Sequence, residues 1–474
     1  MSSPTEAPIT GGYRKVLLKN VVLWRKCMAA EDKMNATWGS GYGAKLANSI
    51  SYAIEPFVPA ETDLIRHHVI LRPDGSIWKE GSLYLLRCAL EGADHPTISG
   101  MAGDLCNFAN AMWYSGKDMW DFSGPKASRP TYLYKSILKK RVMENANRVN
   151  TENRKINRMV GFYRAEADRG FKPEQEMWKT IKKRIPIQDK YGFTQHKEVV
   201  GTDLTFKTVK ENHDMPNGKY IVDGGKLCPM GKENQEALLE ALDTSNNVEM
   251  LLSHIVALTG GPRMQTIFTM RHNCINKDAE DRLVQVGFDA GGDTMIDTKR
   301  NKKEWIVLPE WVHFLIARYL ESERYKKRAA KSIIGTSEDQ YVFLTETGRP
   351  YYIGKKDQAI FNSVESGSAV RKFQQETLNK ILKKTGKFFK YRFHDLRATF
   401  GMNLLEGLKK NDVSELAALD TLKNRLNHAN VATSKRYADF KPTKEQSAAA
   451  QSEYEEHIRS LINIERLSHG SRKT

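Results

Sequence analysis

The strongest constraint on this chain is a change of pattern part-way along it. Two long stretches, 81–171 and 236–440, carry apolar residues at helical spacing. Between them, in 172–235, Gly, Pro, Asn and Asp cluster and no period holds. A 474-residue chain built this way is too long for one core and predicts at least two. Its apolar content of 40% is that of an ordinary globular protein, which excludes a wholly disordered or collagen-like chain. No run approaches the roughly 18 apolar residues of a membrane span. Residues 1–12 lack the basic start and apolar core of a secretory signal. Five cysteines (Cys27, Cys88, Cys106, Cys228 and Cys274) are scattered, odd in number and form no C-x-x-C pair. Neither a disulfide framework nor a zinc knuckle is expected from them. These readings together predict a soluble cytoplasmic protein with no membrane partner.

Charge supplies the first positive clue. The 74 lysines and arginines against 57 acids leave a net charge of +17, which favours a polyanionic partner. A basic but otherwise ordinary enzyme fits the total equally well, so distribution matters more. Segment 131–160 holds eight basic residues against two acids, and 371–400 holds nine against two. Two separated basic blocks, each on helical patterning, suggest two surfaces for one duplex.

Residues 1–80 carry little pattern. Gly39-Ser40-Gly41-Tyr42-Gly43-Ala44-Lys45 fails the spacing of a phosphate loop and reads as a plain loop, and Arg72-Pro73-Asp74-Gly75 is a turn. In 81–171, Ile98, Met101, Leu105, Phe108 and Met112 form one helical stripe behind Thr97 as N-cap. Ile156, Met159, Val160 and Tyr163 form another behind Thr151. Arg154, Lys155 and Arg158 stand at the polar positions of that second helix as candidate DNA contacts. For any one of them a solvated helix face is the plainer reading. The 172–235 connector is too long for a simple linker and predicts a hairpin or short helix of its own.

In 236–440 an apolar helix over 251–258 ends at Thr259-Gly260-Gly261-Pro262, and a second helical segment runs from Arg263 to about Arg271. Strand-like runs at 282–288, 294–297 and 304–308, joined by two turns, predict a three-stranded antiparallel meander. From Trp311 onward the pattern is helices broken by loops, with 340–344 as a strand-like exception. The fold class is mainly α with a small antiparallel β-sheet. In the tail, 441–474, Ile458, Leu461, Ile462, Ile464 and Leu467 keep a helical period. Docking on a neighbouring subunit and packing on the chain's own domain are both open.

Singly, none of the chemistry-bearing residues is telling, but an ordered set is. Arg263 follows Thr259-Gly260-Gly261-Pro262, and Lys299 lies in a turn between strands. Then come His394-Asp395-Leu396-Arg397, Leu426-Asn427-His428, and Tyr437 nine residues beyond His428. This set resembles the signature of the tyrosine recombinase (phage integrase) family: Arg, Lys, His-x-x-Arg, His or Trp, Tyr. Ile306-Val307-Leu308-Pro309 and Phe343-Leu344-Thr345-Glu346-Thr347-Gly348-Arg349-Pro350 resemble its flanks. The helical segment 81–171 is similar to the family's core-binding, SAM-like domain. The resemblance spans 81–171 and 240–440 and leaves 1–80 and 172–235 unexplained.

The resemblance implies a site-specific DNA recombinase or integrase that moves a mobile genetic element. Tyr437 would be the nucleophile in strand cleavage through a 3′-phosphotyrosyl intermediate. Arg263 and Arg397 can present guanidinium donors to the phosphate oxygens, a preorganised stabilisation that is usually the largest catalytic contribution. A tyrosine is a poor nucleophile near neutral pH. The two arginines are expected to lower its pKa, with His394 taking the proton. Lys299 would be the general acid for the leaving 5′ oxygen, ahead of Lys302 and Lys303 in the same turn. His428 would hydrogen-bond the phosphate, and two arginines would do the work of a metal cation, so the resemblance implies no metal and no cofactor. The implied partners are double-stranded DNA, a homotetramer on two DNA sites, and a directionality factor or partner recombinase. A type IB topoisomerase, a telomere resolvase and a catalytically silent DNA-binding protein are the alternatives. The sequence departs from the family at Thr266, where a glutamate is usual, and at Asn427, where a glycine is usual. The 131-residue step from Arg263 to His394 is also long for the family.

Overall fold

The computed structural model describes residues 11–21, 64–145, 148–188, 194–207, 220–361, 365–440 and 458–460. The glycine-rich loop at 39–45 and most of the tail stripe lie outside them. The chain divides into two compact units, 1–211 and 212–474.

In the first unit, strands β1 (Arg14–Val21) and β2 (Leu64–Leu71) pair antiparallel and are followed by α1 (Lys79–Leu90), α2 (His95–Tyr114), α3 (Pro130–Glu144) and α4 (Val149–Asp168). On α2 the stripe Ile98, Met101, Leu105, Phe108 and Met112 is buried, as the spacing requires. The helix begins two residues before the expected Thr97 cap. Asp94 supplies the capping oxygen, accepting from the Thr97 amide at 3.0 Å, and Pro96 fits the first turn. Thr151 likewise lies inside α4, which starts at Val149. Trp78, Phe108, Phe122, Tyr134, Phe162 and Tyr163 fill the core, with ring centroids of Trp78 and Phe162 5.3 Å apart edge to face. The connector contributes a long hairpin, β3 (Thr180–Gln188) against β4 (Thr194–Thr202). Asp203 pins its base, accepting from the Lys179 amide at 3.0 Å and from Lys126 Nζ at 3.0 Å.

The second unit opens with a miniature hairpin, β5 (Ile221–Val222) and β6 (Lys226–Leu227), and two helices, α5 (Lys232–Thr244) and α6 (Val248–Gly260). Every residue of α6 is buried, so it is the axis of the core. Gly261 ends it in the left-handed conformation at φ 70°. At Gly260 a Cβ would come within 2.4 Å of Leu308 and 3.0 Å of the Val307 carbonyl, so glycine lets α6 lie against the sheet. After the short helix α7 (Met264–Phe268), strands β7 (Gln285–Ala290) and β8 (Glu304–Pro309) pair antiparallel. Next come α8 (Glu310–Glu321), α9 (Glu323–Lys331), and α10 (Ser368–Phe373), joined through a π-helical segment to α11 (Asn379–Lys384). Then follow α12 (Asp395–Lys410), α13 (Glu415–Arg425) and α14 (Val431–Ala438).

The fold is mainly α with small antiparallel sheets, but three further expectations fail. The meander has two strands here, because 294–297 takes other partners. The Ile296 carbonyl accepts from Gly291 N, Asp297 N donates to Thr269 Oγ1, and the Asp297 carboxylate accepts from Gln265 and the Lys355 amide. The second helical segment stops at Phe268, since the backbone beyond turns to bridge Arg271 with Tyr341. The strand-like run 340–344 makes only isolated bridges. From the tail, Ile458 is fully buried in the core of its own unit.

Candidate active site

Each residue of the ordered set is delivered by an element end. Arg263 caps α7 immediately after the Gly261-Pro262 break that ends α6. His394 caps α12 and Arg397 lies on its first turn. His428 follows α13 across Asn427, whose φ is 51°; this left-handed residue is where the family glycine is usual, and asparagine is among the side chains that tolerate it. Tyr437 is on α14, whose N-cap Asn430 accepts from the Thr433 amide at 3.2 Å. Lys299 starts a tight turn before β8.

These ends converge on a residue outside the set, Asp223, in the Asp223-Gly224-Gly225 turn between β5 and β6. Its Oδ2 accepts from Arg397 Nε at 2.8 Å, Tyr437 Oη at 3.0 Å and His428 Nε2 at 3.2 Å. Arg263 Nη2 lies 4.0 Å from Oδ1. The Asp223 carbonyl accepts from His394 Nε2 at 3.3 Å. A Cβ built on Gly224 would stand 3.7 Å from Lys299 Nζ and 3.9 Å from His394 Nε2. All six residues of the set therefore surround one turn. Lys303 faces elsewhere, with Nζ 3.8 Å from Asp293.

Remaining contacts fix the geometry. Arg397 also donates to the Gly261 carbonyl at 2.8 Å and the Leu426 carbonyl at 2.6 Å, tying three element ends together. Arg263 Nη1 reaches Glu304 Oε1 at 3.3 Å. Glu304, on β8, thus supplies a carboxylate beside the first arginine where Thr266, itself buried, cannot. Because a carboxylate only accepts, His428 carries its proton on Nε2, and Nδ1 accepts from Ser434 Oγ at 2.9 Å.

The electrostatics correct one expectation. Burial and then the Asp223 carboxylate push the Tyr437 hydroxyl well above the ordinary tyrosine range, outweighing the arginines that would lower it. Burial also holds His394 and His428 below the ordinary histidine value, so both are neutral near pH 7. For Asp223 burial works upward, but the His428 hydrogen bond and the Arg397 charge pull its carboxyl far below the usual range. An ionised carboxylate sits among donors, with Tyr437 0%, Arg397 3% and His428 6% exposed.

Residues 230–444 match the phage integrase family. This segment is a phage integrase family domain. Among solved structures, the chain is similar to XerH site-specific recombinase bound to difH substrate, at 13% identity. That match covers 76% of this chain and 81% of the other, with a TM-score of 0.40. It is also similar to the Tn1549 transposon integrase in complex with transposon right end DNA. There identity is 14%, coverage 80% and 99%, and the TM-score 0.43. No curated protein matches the chain.

Asp223 lies just before the phage integrase domain, so no family motif points to it. The one sequence signal was the turn-forming Asp-Gly-Gly itself. Glu304 and Ser434 carried no signal. The candidate DNA contacts on α4 divide. Arg154 is half exposed and paired to Asp104 at 2.9 Å, whereas Lys155 is largely covered and tied to Glu152 at 2.9 Å. Arg158 Nε is buried without a hydrogen-bond partner. Of the three candidates Arg154 is the exposed one, and Lys139 and Lys140 on α3 and Arg164 on α4 are exposed as well.

Proposed function

We propose that the chain is a site-specific DNA recombinase or integrase that cleaves and rejoins strands through a 3′-phosphotyrosyl intermediate, moving a mobile genetic element, and that Arg263, Lys299, His394, Arg397, His428 and Tyr437 form its catalytic centre. The observation that carries this reading is the convergence of those residues, drawn from five separated stretches, on one turn, whose buried carboxylate is bonded by Arg397, His428 and Tyr437. Guanidinium forks, imidazole N–H and a phenol around an oxyanion are what transfer at a phosphodiester needs.

On this reading Arg263 and Arg397 hold the non-bridging oxygens and stabilise the phosphorane. His428 donates Nε2–H to the same group, and Lys299 protonates the leaving 5′ oxygen. Tyr437 attacks, and its proton passes to a neutral imidazole. His394 takes that part by family resemblance, while His428, whose Nε2 already carries its proton, stays a donor. The phosphotyrosyl bond conserves the energy of the phosphodiester, so a second 5′-hydroxyl can rejoin the strand without a nucleotide cofactor. Double-stranded DNA is the substrate, a homotetramer on two sites is the working assembly, and Arg154 is a candidate phosphate contact.

Covalent capture tests it. The chain and Tyr437→Phe are incubated with nicked suicide duplexes from sequences flanking the coding gene, then resolved on a denaturing gel. A protein–DNA adduct that Tyr437→Phe reduces by at least a thousandfold is expected. Tight, specific binding with no adduct from the parent would favour a silent DNA-binding protein instead.

A further inference from the structure

We propose that Asp223 is a built-in mimic of the scissile phosphate: the 221–227 hairpin seats its carboxylate where the DNA phosphate must lie and holds the enzyme closed until DNA displaces it. The inference rests on the function proposed above.

Three observations carry it. First, the donors match a phosphate seat. One carboxylate oxygen takes three hydrogen bonds, from Arg397, Tyr437 and His428, while the other faces Arg263. A phosphate that met the same donors would need the same volume. Second, the seat is shut. Tyr437 is 0% exposed and Arg397 3%, so no duplex phosphate can reach the nucleophile while the hairpin stays. Third, the hairpin is seated by groups of the site yet is small. Ile221 and Leu227 are buried in one cluster with Phe400, Leu426 and Tyr437. Arg436 donates to the Val222 carbonyl at 2.9 Å, one residue from the nucleophile, and Asp395 accepts from Cys228 N at 3.1 Å, one residue from His394. Against this stand only two strand pairs, Ile221 with Leu227 and Val222 with Lys226. So short a ladder has little independent stability, and Gly224, at φ 67°, makes the turn possible. The hairpin can therefore leave as a unit without unfolding the helices that present the catalytic groups.

The closed state also blocks chemistry directly. The Tyr437 proton is committed to Asp223, and Arg397 is already ion-paired, so neither can act until the carboxylate withdraws.

Inorganic phosphate is the probe, titrated calorimetrically into the full-length parent and Asp223→Ala. The variant is expected to bind phosphate at least tenfold more tightly, and affinities within twofold of each other would overturn the inference. If Asp223→Ala loses its native near-ultraviolet circular dichroism, Asp223→Asn, which keeps the shape and removes the charge, takes the same titration under the same criterion. Hydrogen exchange on the parent is the independent measurement. Amides of 221–227 should exchange faster as phosphate rises while those of α6 do not, and unchanged exchange at phosphate saturation would count against displacement. Single-turnover cleavage of suicide duplexes separates the two readings. Faster Tyr437-dependent adduct formation by Asp223→Ala, by fivefold or more, supports both. A phosphate gain without adduct from either protein on duplexes that both bind sinks the recombinase reading alone. Equal adduct rates without a phosphate gain sink the phosphate mimic alone.

Discussion

The second unit contains two buried carboxylates dressed in nearly the same way, and they invite comparison. Glu249 accepts from Tyr319 Oη at 2.9 Å and Arg324 Nε at 2.8 Å, with Arg328 Nη1 at 2.8 Å. Asp223 accepts from Tyr437 and Arg397, with Arg263 close by. Each is an acid, a phenol and two guanidinium groups. What differs is the carrier. Glu249 stands in α6, every residue of which is buried, and it cannot move without taking the core with it. Asp223 rides on a turn closed by two strand pairs. The same donor set is scaffolding in one place and a displaceable contact in the other, and the tether decides which.

The comparison can be broken by experiment. The largest effect belongs to Glu249→Ala, which strands Arg324 and Arg328 beside an empty site. A loss of about 3–5 kcal/mol in denaturant unfolding is expected. Phosphate should not restore it, because the emptied site lies inside the buried core, where Glu249 is 0% exposed. Asp223→Ala should cost less, about 1–2 kcal/mol, and added phosphate should recover most of the lost melting temperature by binding the folded state. Rescue of both variants, or of neither, would erase the distinction.

The pH dependence sharpens it further. The Asp223 carboxyl is held below its unfolded value, so its contribution is fully present above about pH 4 and fades as pH falls below that. The stability gap between parent and Asp223→Asn should be flat from pH 5 to 9 and narrow below pH 4 in thermal melts. A gap that opened or closed near neutrality would assign the contact to a histidine instead. The smallest effect is at Asn427. At φ 51° a glycine is conformationally free, so Asn427→Gly should change stability by about 0.5 kcal/mol or less, whereas a β-branched residue there should cost more.

How much of this was legible in the sequence depends on the range of the interactions. The stripe on α2 and the Gly260-Gly261-Pro262 break are local statements, and each came out at or near its expected position. The helix start at Thr97 was misplaced because Asp94, three residues upstream, supplies the capping oxygen, whereas α4 starts before Thr151 with no side-chain cap at all. The third strand failed for a different reason: 294–297 has the alternation of a strand, but Asp297 bonds to the side chains of Gln265 and Thr269 and to the Lys355 amide instead of to a neighbouring strand. The ordered set was legible because the family fixes its residue types. Asp223 was legible only as a turn, since nothing within the turn indicates that its carboxylate meets Arg397, 174 residues away.

The two-pair hairpin has a consequence for how selective such an enzyme can be before it reads any base. A carboxylate on a short tether acts as a competitor present at roughly millimolar local concentration. A phosphate that brushes past alone must beat that competitor at each encounter and mostly fails. A duplex already gripped by other lysines and arginines holds its phosphates nearby at a comparable local concentration, and the exchange becomes an even contest. On the proposed function, cleavage is then a threshold event set by dwell time, and stray nicks in passing DNA are suppressed without any contact to sequence.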